Sequence, residues 1–373
     1  MSIDRAALLN PGEAAITAAV SCLRNGGLVG LPTETVYGLA ARAADATAVA
    51  RIFAAKGRPV DHPLIVHIGD IADVQHWAAD VPNYARNLMS LWPGPMTLIL
   101  PKRADVNPML SGGQATIGIR MPAHPLALQV LRGLGEAVAA PSANRFGEVS
   151  ATTAEHVFTA LAQHLQPGDV IIDGGACEVG VESTIIDCTG EAPRILRPGA
   201  ISAETVAAVA GVAVDSNQLN APRVSGSLAS HYAPRARVVL VPDAQALATA
   251  AITETAATAA AATAVTAATT ETAATPTTAA TAGNATAPTA TTAPTERGPD
   301  ATFGVLALAE LALPEGGTQL LAARDAQDYA RGLYTALRAA DDMGLTLVLA
   351  VLPPAVGIGI AIRDRLMRAA AGS

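Results

Sequence analysis

Large rings are scarce in this chain: 2 Trp, 5 Tyr and 4 Phe among 373 residues. A core built on aromatic packing is excluded, so small aliphatic side chains must fill the interior. Cysteine is nearly absent too, with only Cys22, Cys177 and Cys188. No two of them have C-x-x-C spacing, which argues against a zinc ribbon or a dithiol redox pair, and a sparse odd count fits a reducing compartment. Positive charge is in the minority: 24 Lys and Arg against 32 Asp and Glu give a net −8. A global basic field for nucleic acid is therefore missing, although a local basic cleft remains open. No uninterrupted apolar run reaches the roughly 18 residues of a membrane span. The longest candidate, "LTLVLAVLPPAVGIGIAI", is broken by two prolines and two glycines. The first residues, "MSIDRAALLNPGEAA", carry acids and no apolar h-region, so a signal peptide is not expected. The chain reads as soluble and cytoplasmic. Several motifs are also missing: G-x-x-x-x-G-K-[ST], G-x-S-x-G and H-E-x-x-H. The late "GIGIAI" is too weak an echo of a dinucleotide loop to be counted as one.

What is present is an alternation of short apolar runs and helical patterns. Strands are predicted at Leu28–Pro32, Pro63–Ile68, Met96–Pro101, Ala115–Arg120 and Val170–Asp173, with shorter ones at Ser183–Cys188 and Arg194–Leu196, and "EAVAA" before Pro141 is strand-like. Helices are predicted at about 13–23, 46–55, 82–91 and 153–165. Asp45 is the candidate N-cap of the second, Gly57 closes it, and a capping box from Thr152 to Glu155 opens the last. Such alternation argues for a sheet covered by helices. Residues 1–212 form one predicted unit and 213–236 a linker containing "HYAP". Residues 237–373 form a smaller α/β unit, with strands "RVVLVP", "FGVLAL" and "LTLVLAV" and two late helices. Within that unit, about 246–300 is nearly all Ala and Thr with late Pro and Gly. Its front half suits a transient Ala-rich helix, but the tract has no bulky face to bury and is expected to be a disordered insert.

Four polar segments adjoin predicted strands, where an open α/β sheet places ligands. "GLPTETVYGLAA" offers Thr33, Glu34, Thr35 and Tyr37 after a strand, and it also reads as a polar turn. "KGRPVDHPLIVH" sets Lys56 and Arg58 on either side of Gly57. Two neighbouring cations suit a shared anion such as a triphosphate, or equally a solvated helix end. Metal binding by His62 and His67 is the weaker reading, because no third ligand is near in sequence. "AAPSANRFGEVSATT" puts Ser142, Asn144, Gly147 and Ser150 before a helix N-terminus, as either a phosphate cradle or an ordinary capped loop. "VESTIIDCTGEAPRILRPGAIS" holds Ser183, Thr184 and Arg197, which also fits a hairpin with an exposed Arg.

Taken together, "LPTETVYGLAA", "KGRP…HPLIVHI", "PSANRFGEVS", "ESTIID" and "ILRPGAIS", in this order and spacing, closely resemble the YrdC-like threonylcarbamoyl-AMP synthase family. The linker "GSLASHYAP" and the trailing unit resemble its long two-domain form. The resemblance covers nearly the whole chain except the Ala/Thr tract. It implies an open twisted α/β sheet with a concave, positively charged cleft, followed by a smaller Rossmann-like α/β domain. It also implies condensation of L-threonine, bicarbonate and ATP to L-threonylcarbamoyladenylate and pyrophosphate. The product would pass to the machinery that modifies tRNA. Carried over position by position, the threonine contacts resemble Thr35, His67, Arg120, Ala140 and Ser183. The ATP contacts resemble Arg58, His62, Thr116, Ser142, Ser150, Arg197 and Tyr232. The K-x-R and S-x-N signature, Lys56, Arg58, Ser142 and Asn144, is implied to be catalytic. Mg²⁺ is expected to travel with the phosphates, with no dedicated protein ligand. His62 stands where many relatives have Asn, and Ala140 where some have Thr. An RNA-binding module using the same cleft without catalysis is the contrasting reading. The complete signature and the acidic net charge favour the enzyme, and no membrane partner is expected.

Overall fold

The computed structural model describes residues 3–219, 221–226, 231–254, 302–309 and 311–372. Its first sheet has ten strands: β1 Leu8–Leu9, β2 Val29–Leu31, β3 Gly38–Arg42, β4 Ile65–His67, β5 Met96–Pro101, β6 Thr116–Arg120, β7 Val138–Ala139, β8 Val170–Ile172, β9 Thr184–Asp187 and β10 Arg194–Arg197. They lie in the order β1-β8-β2-β3-β7-β4-β6-β5-β9-β10. The sheet is mixed: β1–β8, β8–β2, β4–β6 and β5–β9 pair parallel, and the other neighbours pair antiparallel. Its six helices are α1 Glu13–Arg24, α2 Ala46–Lys56, α3 Asn83–Leu88, α4 Pro125–Leu134, α5 Ala154–Leu161 and α6 Ala203–Ala210. The core follows the composition: Ala19, Ala40, Ala48 and Ala139 are fully buried among Leu, Ile and Val.

Helix ends obey local chemistry. Asp45 accepts the Ala48 N–H at the start of α2, and Gly57, at φ 62°, ends that helix in the left-handed region. At α5 the cap is one residue later than expected. Thr153, not Thr152, accepts the His156 N–H. The Thr152 hydroxyl instead meets the His156 ring, so no Thr152 capping box forms. The helix is shorter than its apolar spacing suggested and tightens into a 3-10 turn at Ala162–His164. Likewise the predicted helix at 82–91 is α3 followed by a 3-10 turn, Met89–Leu91.

The second sheet is entirely parallel: β11 Arg237–Val241, β12 Phe303–Leu308, β13 Gly317–Ala323 and β14 Leu347–Val351, ordered β11-β14-β12-β13. Edge strand β13 was not expected from the sequence, because "GTQLLAA" lacks a clean alternation. Helices α7 Ala326–Asp342 and α8 Ile358–Ala370 pack on this sheet. The Ala/Thr stretch is not featureless from its beginning. Residues 247–254 are helical, and Leu247 and Ala251 are buried against Phe303, Val305 and Leu349. The rest of the expected insert, 255–300, lies outside the described residues. A shared apolar cluster joins the two units, with Val36, Val149, Val181 and Tyr232 against Ala330, Leu333 and Leu366.

Candidate active site

Strand pairing builds one end of a pocket. β4 and β6 run parallel, and His67 pairs with Arg120 at their C-terminal ends. β5 is antiparallel to β6 and parallel to β9. Thr97, near the start of β5, and Ser183, just before β9, therefore reach the same sheet edge, with hydroxyls 2.8 Å apart. The turn after β2 adds Thr33 and Thr35, whose hydroxyl oxygens are 2.9 Å apart. Between them Glu34 accepts from Arg120 Nη2 at 2.6 Å and from the Ala123 N–H at 3.0 Å. This buried pair orients the Arg120 guanidinium, whose Nε has no hydrogen-bond partner among the described residues. His67 Nδ1 sits 3.2 Å from the Ile65 carbonyl. A carbonyl only accepts, so Nδ1 carries the proton and Nε2 is an acceptor. Burial, and then the Arg120 charge, hold the ring's pKa down to about 3, which keeps it neutral at physiological pH.

The other end is built around α2. Lys56 is buried, and its ammonium donates to the Ser142 carbonyl at 2.6 Å and to the Asn144 carbonyl. Burial and the nearby Arg58 push its pKa well below the usual lysine range. Asn144 closes the same loop from inside by donating to the Arg145 and Glu148 carbonyls at 2.7 and 2.8 Å. Lys56 and Asn144 thus shape the loop that presents Ser142. Arg58 donates to the Pro63 carbonyl at 2.9 Å and lies over the Phe146 ring at 5.6 Å, and its Nε has no hydrogen-bond partner among the described residues. Arg197 clamps the Ser183 carbonyl with Nε and Nη2, at 3.1 and 2.9 Å, and reaches the Ser225 carbonyl with Nη1 at 2.9 Å.

Residues of the linker close the pocket: Ser225, Gly226, His231 and Tyr232 all line it. Gly226 is at φ 78°, and a Cβ there would stand 2.3 Å from the Tyr232 hydroxyl, so only glycine fits. Tyr232 itself is at φ 62°, a strained state for an aromatic residue that its surroundings must enforce. His231 Nδ1 and the Tyr232 hydroxyl are buried with no hydrogen-bond partner among the described residues. The cavity left is about 30 Å³, enough for about one or two waters.

Of the residues expected at the site, His67, Arg120, Ala140, Ser142, Ser183, Arg197 and Tyr232 line this pocket. Others stand one layer behind. Thr35 touches Thr33, Lys56 holds the Ser142 carbonyl, Arg58 reaches Ser225 Oγ at 3.5 Å, and Ser150 donates to Glu182 at 2.6 Å. Asn144 shares Lys56 with Ser142. Two are not gathered in. His62 packs edge-on against Phe146 at 5.1 Å, and burial together with Arg58 lowers its pKa. Thr116 opens instead into a neighbouring recess with Gln114, Val224 and Ser225. Sequence reasoning missed Glu182, Thr97, Tyr334 and Arg365. Glu182 stands inside the quoted "ESTIID" stretch, where only its neighbours Ser183 and Thr184 were read for chemistry, and Tyr334 and Arg365 come from the other domain. Among the described residues no His, Cys, Asp or Glu cluster could hold a metal ion, and no helix is long and apolar enough to cross a membrane.

Comparison with known proteins bears on both halves of the chain. Residues 21–199 match a family described as "Telomere recombination", and residues 201–371 match one described as "Threonylcarbamoyl-AMP synthase, C-terminal domain". The threonylcarbamoyl-AMP synthase of Bacillus subtilis (strain 168) is 36% identical over 373 residues, spanning 98% of this chain and 95% of that protein. The Pyrococcus abyssi threonylcarbamoyl-AMP synthase is 43% identical over 232 residues, 61% of this chain and 67% of that protein. A crystal structure of P. abyssi Sua5 complexed with L-threonine superposes with a TM-score of 0.79 at 32% identity, covering 98% of each chain.

Proposed function

The chain belongs to the threonylcarbamoyl-AMP synthase family in its two-domain form, and on that premise we propose that it condenses L-threonine, bicarbonate and ATP to L-threonylcarbamoyladenylate and pyrophosphate. The observation that carries the reading is a set of buried polar atoms, in and directly behind the pocket wall, that find no hydrogen-bond partner among the described residues. They are Arg120 Nε, Arg58 Nε, Asn144 Oδ1, His231 Nδ1 and the Tyr232 hydroxyl. Such atoms are costly unless a ligand satisfies them. Two guanidinium edges, one at each end, suit two anionic substrates, a carboxylate and a triphosphate.

At the β4–β6 edge, Arg120 takes the threonine carboxylate. Neutral His67 accepts a proton-bearing group of the amino acid through Nε2, beside the hydroxyls of Thr33, Thr35 and Ser183. The threonine amine and bicarbonate give a carbamate and water. The carbamate oxygen then attacks the α-phosphorus, and the bond to the β,γ-diphosphate breaks to release pyrophosphate. This is in-line displacement by a held nucleophile, with no covalent enzyme intermediate. Arg58 and Arg197 stabilise the developing charge, and Lys56 and Asn144 hold the Ser142 loop in register. Mg²⁺ enters with the triphosphate. Glu182, the only carboxylate among the described lining residues, already accepts from Ser150, Tyr334 and Arg365. The 30 Å³ cavity cannot hold ATP, so Tyr232 and its neighbours withdraw to admit it and return to exclude water from the labile carbamate. The product goes on to the transfer machinery for tRNA.

The test is pyrophosphate release from ATP. Release that requires both L-threonine and bicarbonate, and that Arg58→Ala largely abolishes without loss of circular dichroism, is the expected result. Release independent of either substrate, or tight RNA binding with no release, would support the non-catalytic RNA module instead.

A further inference from the structure

Glu182 is an odd occupant of a pocket that takes a triphosphate. It lines the cavity and is 5% exposed, and a bare carboxylate there would repel the substrate across a low-dielectric gap. It is not bare. Arg365 of α8, whose side chain is fully buried, donates from Nε at 2.8 Å. The Tyr334 hydroxyl of α7 lies 3.1 and 2.9 Å from the two carboxylate oxygens. Ser150 adds a third donor at 2.6 Å. Two of the three donors come from the second domain. The same domain holds the backbone around Ser150, because Arg338 donates to the Ser150 carbonyl at 3.3 Å and to the Val149 carbonyl. It also supports the strained Tyr232, whose ring lies 5.7 Å from that of Tyr334 and 5.4 Å from the Arg365 guanidinium carbon.

A buried ion pair is a poor source of net stability, since apolar residues of similar volume often serve as well. The surrounding interface is apolar and tightly closed: a Cβ on Gly180 would stand 2.4 Å from the Arg331 backbone. Docking the two domains therefore does not require a charge at this point. Setting the charge and position of a pocket-lining carboxylate does. We infer that Arg365 and Tyr334 are positioning residues of the nucleotide half of the active site, acting through Glu182, so that the second domain completes the ATP pocket. The inference rests on the synthase reading above.

The experiment uses the full chain and compares wild type with Arg365→Met, Tyr334→Phe, Glu182→Gln and the Glu182→Gln/Arg365→Met pair in steady-state pyrophosphate release. Arg365→Met removes the guanidinium paired with Glu182 and leaves the carboxylate less well compensated, and the KM for ATP is expected to rise about tenfold or more, equivalent to about 1.4 kcal/mol. Its KM for threonine is expected to change little. Removing the charge in the double variant is expected to restore most of the ATP affinity, which a purely structural role of Arg365 would not allow. An unchanged KM for ATP in Arg365→Met overturns the inference. So does an equal loss for both substrates without rescue by Glu182→Gln. Should Arg365→Met fail to fold, Tyr334→Phe decides: a severalfold rise confined to the KM for ATP supports the inference, and no rise overturns it. Wild-type chain that releases no pyrophosphate contradicts the synthase reading itself. Equilibrium ATP binding by the same variants then judges the inference separately.

Discussion

His67 shows how much a single environment decides. In the sequence, metal ligation was its weaker reading and the family resemblance implied a threonine contact, and strand pairing now fixes its surroundings. Opposite Arg120 and bonded to the Ile65 carbonyl, the ring is a buried neutral acceptor whose pKa is depressed to about 3 by burial and then by Arg120. The unfolded chain takes up this proton near the ordinary histidine pKa of about 6.5, while the native state does so only near 3. Between those values the unfolded state binds more protons, so native stability falls as the pH drops. Replacing the ring with an uncharged amide, His67→Gln, is expected to flatten that part of the stability–pH profile, measured by denaturant unfolding at pH 7, 5.5 and 4. An undiminished acid slope would mean that another group is responsible. His62 contrasts with it. The sequence suggested a phosphate contact, but the ring rests against Phe146, and one-dimensional spacing carries no sign of that.

At the level of elements, the parts legible in the sequence are those fixed by local chemistry. Asp45 and Gly57 bracket α2 as their residue types require, and the apolar runs at β2, β4, β5, β6 and β8 are strands because little else buries them. The illegible parts depend on partners far along the chain. β3 is short and Ala-rich, and it becomes a strand by pairing with β2 and β7. Edge strand β13 owes its place to β12. The link between α2 and the Ser142 loop is similar. The lysine of K-x-R was expected to face substrate, yet its ammonium spans two elements by holding the Ser142 and Asn144 carbonyls. Lys56→Met leaves those buried acceptors unpaired and is expected to cost about 2 kcal/mol of unfolding free energy. Pyrophosphate release is expected to fall because the loop loses its register. A variant as stable as wild type but inactive would instead place the ammonium on substrate.

Across the whole molecule, the two domains share an apolar cluster and a set of hydrogen bonds that meets at Glu182. The sequence divides the chain at the linker, and each half shows its own sheet. What it could not show is that Tyr334 and Arg365 bond to Glu182 more than 150 positions earlier. No local pattern marks an amphipathic helix residue as a partner for a distant carboxylate. The described start of the Ala/Thr tract joins the second core through Leu247 and Ala251. Deleting 258–295 is expected to leave pyrophosphate release near the full-length rate. Extending the deletion back to 246 is expected to lower the melting temperature by removing those two apolar contacts. A large loss of activity from the shorter deletion would show that the tract has a role its composition does not reveal.

The most direct measurement follows the carbon. The full chain is incubated with ATP, L-threonine and isotopically labelled bicarbonate, and the products are identified by mass. The account predicts L-threonylcarbamoyladenylate with the label in its carbamoyl carbon, formed one for one with pyrophosphate. Pyrophosphate with no labelled adenylate, or AMP joined directly to unmodified threonine, would contradict it.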